Sequence, residues 1–426
     1  MFSMFFNFSK KQVQSQDSNI SDFEYLPQSS YYFDSACQSL RPQSVIDAET
    51  EYYQKFNTCG HRVKYKWGEI VDKKVSETRD NLLKMAGKSS KDYTVAFCLN
   101  TTHGINLVLQ QIDPKTLDLK QIITSDIEHN SVFLTSLVFA KKFDLNRKVL
   151  ERDDLGNLIY EKKDLEKSAV ILNTMSNIDG RELLNLKQLT KDTHENGGIL
   201  LLDACQTFGH NPEFLENVDF DAAFGSGHKM HGPSLGFIII KKNLLKKLDC
   251  FLIGGSTVQD VKLDSFELIE NDDEIYARLE AGLQNYAGII GLNEAIKWRE
   301  NWNLEINENS HIFLQTESKN KKLKATEYEN LLSKYLNQKL QEIPNLKLLN
   351  PKSSPVVSVY CDKVDGHRLA LYMSEAGIMC RSGYHCCHYY LKEKMKLPPL
   401  FRISLSLHNT PQEIDYLIEK MKVALG

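Results

Sequence analysis

The chain has nine cysteines but no Cys-x-x-Cys pair, so it lacks the ligand spacing that structural zinc sites use. An odd count of that kind points to a reducing, cytoplasmic compartment in which thiols stay free. No stretch reaches the uninterrupted apolar length needed to cross a bilayer, and no membrane partner is expected. Residues 1–8 are apolar but few, have no basic residue ahead of them and run into a polar stretch at 10–21, which reads as a loosely docked terminus and not as a secretory leader. An excess of positive charge is also missing: 52 Lys and Arg stand against 56 Asp and Glu, for a net charge of −4. Nucleic-acid binding driven by bulk charge is thereby excluded. There is no internal repeat and no low-complexity tract.

What is present is an ordinary globular composition, 42% hydrophobic and 25% charged, spread over 426 residues. That length exceeds what one core sustains, so at least two domains are expected. Apolar runs at 94–98, 121–125, 169–174, 199–203, 222–224 and 235–240 read as buried strands. They alternate with amphipathic helical stretches at 42–56, 73–86, 104–111, 132–140, 186–195 and 288–302. The alternation predicts an α/β fold with a mostly parallel sheet covered on both faces. The polar, lysine-rich, glycine-free stretch 308–338 reads as a long surface helix leading into a second domain. That domain is a small α/β unit, with strands expected at 345–349, 356–360, 378–381 and 401–405 and helices at 366–376 and 411–425.

The most telling segment is Gly225-Ser226-Gly227-His228-Lys229, which follows one strand, while the preceding strand ends in Asp203. A lysine among small and hydroxyl residues, one strand after a carboxylate, is what pyridoxal phosphate (PLP) requires: the amine forms a Schiff base with the aldehyde and the acid keeps the ring nitrogen protonated. Ser226 and His228 could bind its phosphate with the N–H groups of the glycine turns. Alone, the same five residues also describe a surface lysine in a glycine loop.

Ligands of open α/β sheets bind beyond the carboxyl ends of the strands, where the other candidates fall. Thr101 and Thr102 open a helix, either as a phosphate site or as ordinary caps. His129, after the next strand, could stack on the pyridine ring and shuttle a proton, or be structural. Asn177 and Gln206 could each donate to the phenolic oxygen of the ring, or bond their own backbone as loop residues do.

Taken in order, Phe33-Asp34-Ser35-Ala36, Asn100-Thr101-Thr102-His103-Gly104, Glu128-His129, Asp203-Ala204-Cys205-Gln206, Ser226-Gly227-His228-Lys229, Glu280-Ala281-Gly282, Arg381-Ser382-Gly383-Tyr384-His385-Cys386 and Phe401-Arg402-Ile403-Ser404 resemble the class V aminotransferase superfamily. Within it, the chain is most similar to the group II cysteine desulfurases and selenocysteine lyases, from about Tyr31 to the C-terminus. The resemblance implies a fold-type I PLP enzyme with a large, mostly parallel seven-stranded sheet domain and a smaller C-terminal α/β domain. It implies a division into an N-terminal segment 1–34 packed on the small domain, a PLP-binding domain 35–300 and a small domain 301–426.

The same resemblance implies residue roles. Lys229 carries the cofactor, Asp203 meets its ring nitrogen, His129 stacks on the ring, Thr101, Thr102, Ser226 and His228 hold the phosphate, and Asn177 and Gln206 reach the ring oxygen. Arg402 grips the substrate carboxylate, a task suited to a planar bidentate donor, with Asn177 and Arg381 on the substrate side. Cys386 matches the nucleophile, in a segment whose positive charge favours the thiolate.

The implied reaction is conversion of L-cysteine to L-alanine, with sulfur passing to Cys386 as a persulfide and then to an acceptor protein, in a homodimer with its site at the subunit interface. Selenocysteine lyase, cysteine C–S lyase, epimerase and aminotransferase activities, or a PLP-fold scaffold without catalysis, are the alternatives. Iron–sulfur cluster assembly, RNA thiolation and cofactor sulfuration all remain open as destinations. Three stretches depart from the family pattern: Leu283 and Gln284 where a phosphate-binding threonine is expected, Tyr384 where histidine is frequent, and Cys387 where a small non-thiol residue is usual. Cys387 could pack, accept the persulfide or resolve it.

Overall fold

Runs of Val, Ile, Leu and Ala that are apolar at every position can be buried only when both of their faces are covered, and such runs build the main sheet. The computed structural model describes residues 21–27, 29–60, 63–305 and 322–426. Its strands are numbered along the chain from β1 (Tyr31–Tyr32). The main sheet takes β2 (Tyr93–Cys98), β3 (Gln121–Ser125), β4 (Asn146–Leu150), β5 (Ser168–Asn173), β6 (Ile199–Asp203), β7 (Ala222–Ser226) and β8 (Gly236–Lys241), in the order β2-β8-β7-β6-β5-β3-β4. In this sheet β8 alone runs against the other strands, so β2, β3, β5, β6 and β7 all end at one edge.

Period-two alternation sends Leu200, Leu202, Ala223 and Ile239 to one core and Leu201, Ala222, Phe224, Ile238 and Ile240 to the core on the opposite face. β4 was not anticipated. Its sequence, Asn-Arg-Lys-Val-Leu, is that of an edge strand with no fully buried position, and edge strands carry polar residues that hide the strand signal.

A short hairpin, β9 (Val258–Val261) with β10 (Phe266–Leu268), follows β8. Beyond the helix Tyr286–Asn301 the chain enters a second core. Leu332, Leu336, Val357, Val359, Phe401, Ile403 and Leu417 pack there, joined by Phe33 from the N-terminal side.

The stretch expected as one surface helix over 308–338 differs on both counts. β11 (Asn303–Glu305) pairs with β12 (Lys322–Lys324), where Leu323 points into the second core, and the helix is Ala325–Gln341. Tyr328, Leu332, Leu336 and Leu340 recur at every fourth residue, which makes it a core helix under its lysine-rich surface. Residues 306–321 lie outside the described ones.

The second sheet is antiparallel, β13 (Lys347–Leu348), β14 (Val356–Tyr360), β17 (Leu400–Ser404) and β16 (Arg381–Gly383) in spatial order. The strand expected at 378–381 is two strands. β15 (Ile378–Met379) runs parallel to β1, whereas Arg381 opens β16 against β17, and the chain changes partners at Cys380. An isolated bridge between Asp34 and Ser404 continues the N-terminal pairing. Among the described residues, no helix is long and apolar enough to cross a membrane.

Candidate active site

Lys229 stands in a single 3-10 turn, Gly227–Lys229, just beyond β7. Backbone packing fixes that turn: Gly227 N–H donates to Leu235 O at 2.7 Å, and a Cβ at Gly209 would fall 2.4 Å from Lys229 O, so only glycine fits behind the lysine. The amino group has no hydrogen bond or ion pair to a described residue. It faces a cavity of about 550 Å³ at the carboxyl edge of the main sheet.

Asp203 ends β6 and lines the same cavity, buried, with one carboxylate oxygen accepting the Cys205 N–H at 3.2 Å. Burial pushes its carboxyl above the usual range and the Lys229 ammonium opposes the shift.

His129 caps the helix Asn130–Phe143, its Nδ1 accepting Ser131 N–H at 3.1 Å, which leaves the proton on Nε2. Burial, reinforced by the positive charges of Lys229, Arg402 and Arg381, lowers its pKa to about 3, so the ring is neutral across the physiological range. Glu128 beside it accepts from Ser125 Oγ (2.5 Å), Arg152 Nη2 (2.9 Å) and Asn173 N–H (2.7 Å), which anchors the loop that presents the imidazole.

At the far end of the cavity the helix Thr101–Gln111 begins, three residues earlier than its apolar pattern suggested. Thr101 N–H donates to Ser226 Oγ at 3.3 Å, Thr101 Oγ1 lies 2.8 Å from Cys205 Sγ and Thr102 Oγ1 2.6 Å from Ser131 Oγ. These hydroxyls, a helix N-terminus and His228 border the same cavity and are the donor types an anion site requires. His228 is lowered to about 4, by burial first and then by Lys229 and Arg41.

The two amides are engaged otherwise than expected. Gln206 Nε2 donates to Ala36 O at 2.9 Å, so the buried Gln206 atom without a partner among the described residues is its acceptor oxygen. Asn177 Nδ2 donates to His385 O at 2.8 Å and its Oδ1 accepts from Cys387 Sγ at 3.2 Å. Both amides border the cavity.

The opposite wall comes from the second sheet. Arg402 on β17 is 3% exposed, with Nη1 donating to Asn177 O at 3.0 Å, Nη2 to Asp34 Oδ1 at 2.8 Å, and Nε unpaired among the described residues. Arg381 is exposed at the start of β16 and contacts Cys37 Sγ. Cys386 is half-buried on the cavity wall, whereas Cys387 is turned away into an apolar cluster with Ile127, Ile178, Leu391 and Leu400.

All twelve sequence-derived site residues, Lys229, Cys386, His129, Asp203, Gln206, Ser226, His228, Thr101, Thr102, Asn177, Arg402 and Arg381, line this one cavity. Sequence reasoning passed over Cys37, which borders it as well, and Asp34 as the partner of Arg402. Both sit in or beside the Phe33-Asp34-Ser35-Ala36 motif, which the pairing of β1 with β15 and the bridge between Asp34 and Ser404 carry to the cavity. Leu283 lies elsewhere, 73% exposed, after Glu280, whose carboxylate is held by Arg79 in a two-pronged ion pair.

Residues 31–417 match the aminotransferase class-V family. A probable cysteine desulfurase of Pyrococcus abyssi is 30% identical over 399 residues, covering 92% of this chain and 93% of that protein. One from Borreliella burgdorferi is 28% identical over 406 residues, covering 92% and 90%. The apo structure of a cysteine desulfurase from Thermococcus onnurineus superposes with a TM-score of 0.77 at 27% identity, over 93% of this chain and 94% of that one. A cysteine desulfurase of Escherichia coli gives 0.78 at 24% identity over 95% and 97%, a likeness of fold.

Proposed function

The chain belongs to the class-V aminotransferase family, and on that premise we propose that it is a PLP-dependent cysteine desulfurase acting on L-cysteine. The observation supporting this reading is that Lys229, Asp203, Arg402 and Cys386, from four separate elements, border a single cavity. The cavity suits PLP: an amine without a direct partner among the described residues, a buried carboxylate, and a set of hydroxyls and helix N–H groups are complementary to an aldehyde, a ring nitrogen and a phosphate. Lys229 would hold it covalently, with Asp203 at the ring nitrogen, His129 over the ring, and Ser226, His228, Thr101 and Thr102 at the phosphate; Asn177 and Gln206, whose amide nitrogens donate to His385 O and Ala36 O, border the cavity with those bonds directed to the main chain and not to the ring oxygen. Bound there, PLP supplies an electron sink for charge left on the α-carbon of an amino acid.

The residues of the chain do the rest. Arg402 binds the substrate carboxylate through its guanidinium fork. The Lys229 amine would remove the α-proton and return one. The neutral imidazole of His129 presents Nε2–H to the cavity as a donor. Cys386 thiolate attacks the substrate sulfur: an S–S bond forms, the C–S bond breaks with its electron pair staying on the carbon side, and protonation there gives L-alanine. The persulfide left on Cys386 passes its outer sulfur to an acceptor protein. A homodimer, a cytoplasmic location and the division at 34/35 and 300/301 belong to the same reading. The last is supported by Ile296 packing in the first core and Trp302 in the second.

The test is sulfide and alanine release from L-cysteine, with mass spectrometry of the protein after a single turnover. An adduct of about 32 Da, one sulfur atom, is expected on Cys386. Cys386→Ala should abolish desulfuration and retain the visible absorption of bound cofactor. Full activity in that variant would overturn the persulfide route and point to β-elimination.

A further inference from the structure

Cys386 stands in a backbone conformation that its own side chain disfavours. His385 and Cys386 have φ of 45° and 58°, two consecutive non-glycine residues in the left-handed region, a state that persists only where the surroundings over-determine it. The surroundings are few and specific. His385 O accepts Asn177 Nδ2 at 2.8 Å, Cys386 O accepts Asn130 N–H at 2.7 Å, and Cys387 N–H closes a turn onto Tyr384 O at 2.7 Å. The two carbonyls flanking the nucleophile are thus held by residues from the main sheet's carboxyl edge, while the loop itself belongs to the second sheet.

Asn177 is the centre of this arrangement. Its nitrogen faces a carbonyl and its oxygen faces the Cys387 thiol at 3.2 Å. Turning the amide over would set its oxygen against the His385 oxygen and exchange the S–H···O bond for a weaker N–H···S contact, so the His385 carbonyl and the Cys387 thiol together set the orientation in which Asn177 holds the loop. Arg402 Nη1 donates to the main-chain oxygen of the same residue at 3.0 Å. One asparagine therefore ties the guanidinium to the loop that carries Cys386.

Cys387 is 1% exposed, and its thiol, which burial pushes well above the ordinary range, stays protonated and acts as a donor. It is closed off from receiving sulfur.

We propose that Cys387 and Asn177 are positioning residues: the Cys387 S–H helps to orient the Asn177 amide, which holds the 385–387 backbone so that Cys386 Sγ is presented to the substrate bound by Arg402. The inference rests on the desulfurase reading for its consequence, and on the hydrogen bonds alone for its geometry.

The test compares holoenzyme carrying Cys387→Ala, which removes the donor, and Cys387→Ser, which keeps one. Three quantities are read: single-turnover persulfide formation on Cys386 by mass spectrometry, exchange of the α-proton of L-alanine in deuterium oxide, and the rate of Cys386 alkylation by iodoacetamide. The Ala variant should form the persulfide about tenfold more slowly, the equivalent of one lost buried hydrogen bond. Its α-proton exchange, which needs no thiol, should stay at the wild-type rate, its Cys386 alkylation rate should change several-fold, and the Ser variant should follow wild type in all three. Equal persulfide and alkylation rates in Ala and wild type, parallel loss of exchange and persulfidation, or sulfur found on Cys387 would each overturn the proposal. If wild type releases sulfide with no persulfide on Cys386, the desulfurase mechanism falls, and the alkylation rates alone decide the positioning claim. Should the Ala variant not fold, Cys387→Val keeps the volume and removes the donor.

Discussion

The two walls of the cavity are built in opposite ways. The floor, from Thr101 to Lys229, is a row of strand ends, each with its functional side chain within a few residues of a fully buried apolar run. The facing wall, Asp34 with 381–402, is assembled from chain segments hundreds of residues apart, joined by β1 on β15 and by Arg402 on Asp34 and Asn177. A sheet edge is rigid through its ladder and positions side chains by itself; a loop in a left-handed conformation must be held by others. Substitutions in the floor should therefore remove chemistry outright, and those in the opposite wall, the nucleophile Cys386 apart, should detune it.

The most severe test of that contrast is Lys229→Ala. Loss of all desulfurase activity together with the visible absorption of the cofactor is expected, and spectrophotometry with a sulfide assay would detect any survival of either. Next is Arg402→Lys, which keeps the charge but loses the fork. A fall of about a hundredfold in kcat/KM for L-cysteine, roughly 2–3 kcal/mol, should appear mainly in KM. A fall confined to kcat would remove Arg402 from carboxylate binding.

The seam between the two sheets should be sensitive to acid. His231, bonded to Leu40 O (2.7 Å) and Ser406 Oγ (2.9 Å), is lowered to about 3, and His408, bonded to Tyr32 O (3.0 Å), to about 4, both chiefly by burial. Unfolding lets each bind a proton near the ordinary pKa of about 6.5, so their contribution is complete above that pH and is lost as the pH falls toward the folded values. Each histidine costs up to about 1.4 kcal/mol per pH unit in that window. Denaturant titrations from neutral pH to about pH 5 should record the decline, and His408→Gln should flatten it. Smallest is Cys37→Ala: Arg381 is exposed and keeps its charge, so a change of less than about threefold in kcat/KM is expected, and a larger loss would assign Cys37 a part in the chemistry.

Legibility followed the same division. The β6 strand, the helix Leu186–Glu195 and the closing helix Pro411–Leu425 were readable to the residue, because periodicity and caps such as Thr410 with Pro411 are local signals. β4, β12 and the break at Cys380 were not, since an edge strand or a two-residue strand takes its identity from its partner. Lys229, Asp203 and Cys386 could be picked out by motif. The engagement of Asn177 with the 385–387 loop, and the opposite fates of two adjacent cysteines, could not.

The amino-acid sequence by itself determined the alternation of buried strands and helices, and with it a sheet edge at which Asp203 and Lys229 end up side by side, because hydrophobic periodicity and glycine turns act over a few residues. Only the tertiary structure decided which thiol faces the cavity and which is buried, and which amide atoms remain free. Those outcomes depend on hydrogen bonds between residues some two hundred positions apart, such as Asn177 with His385 and Cys387. Such contacts require both sheets to be packed against each other.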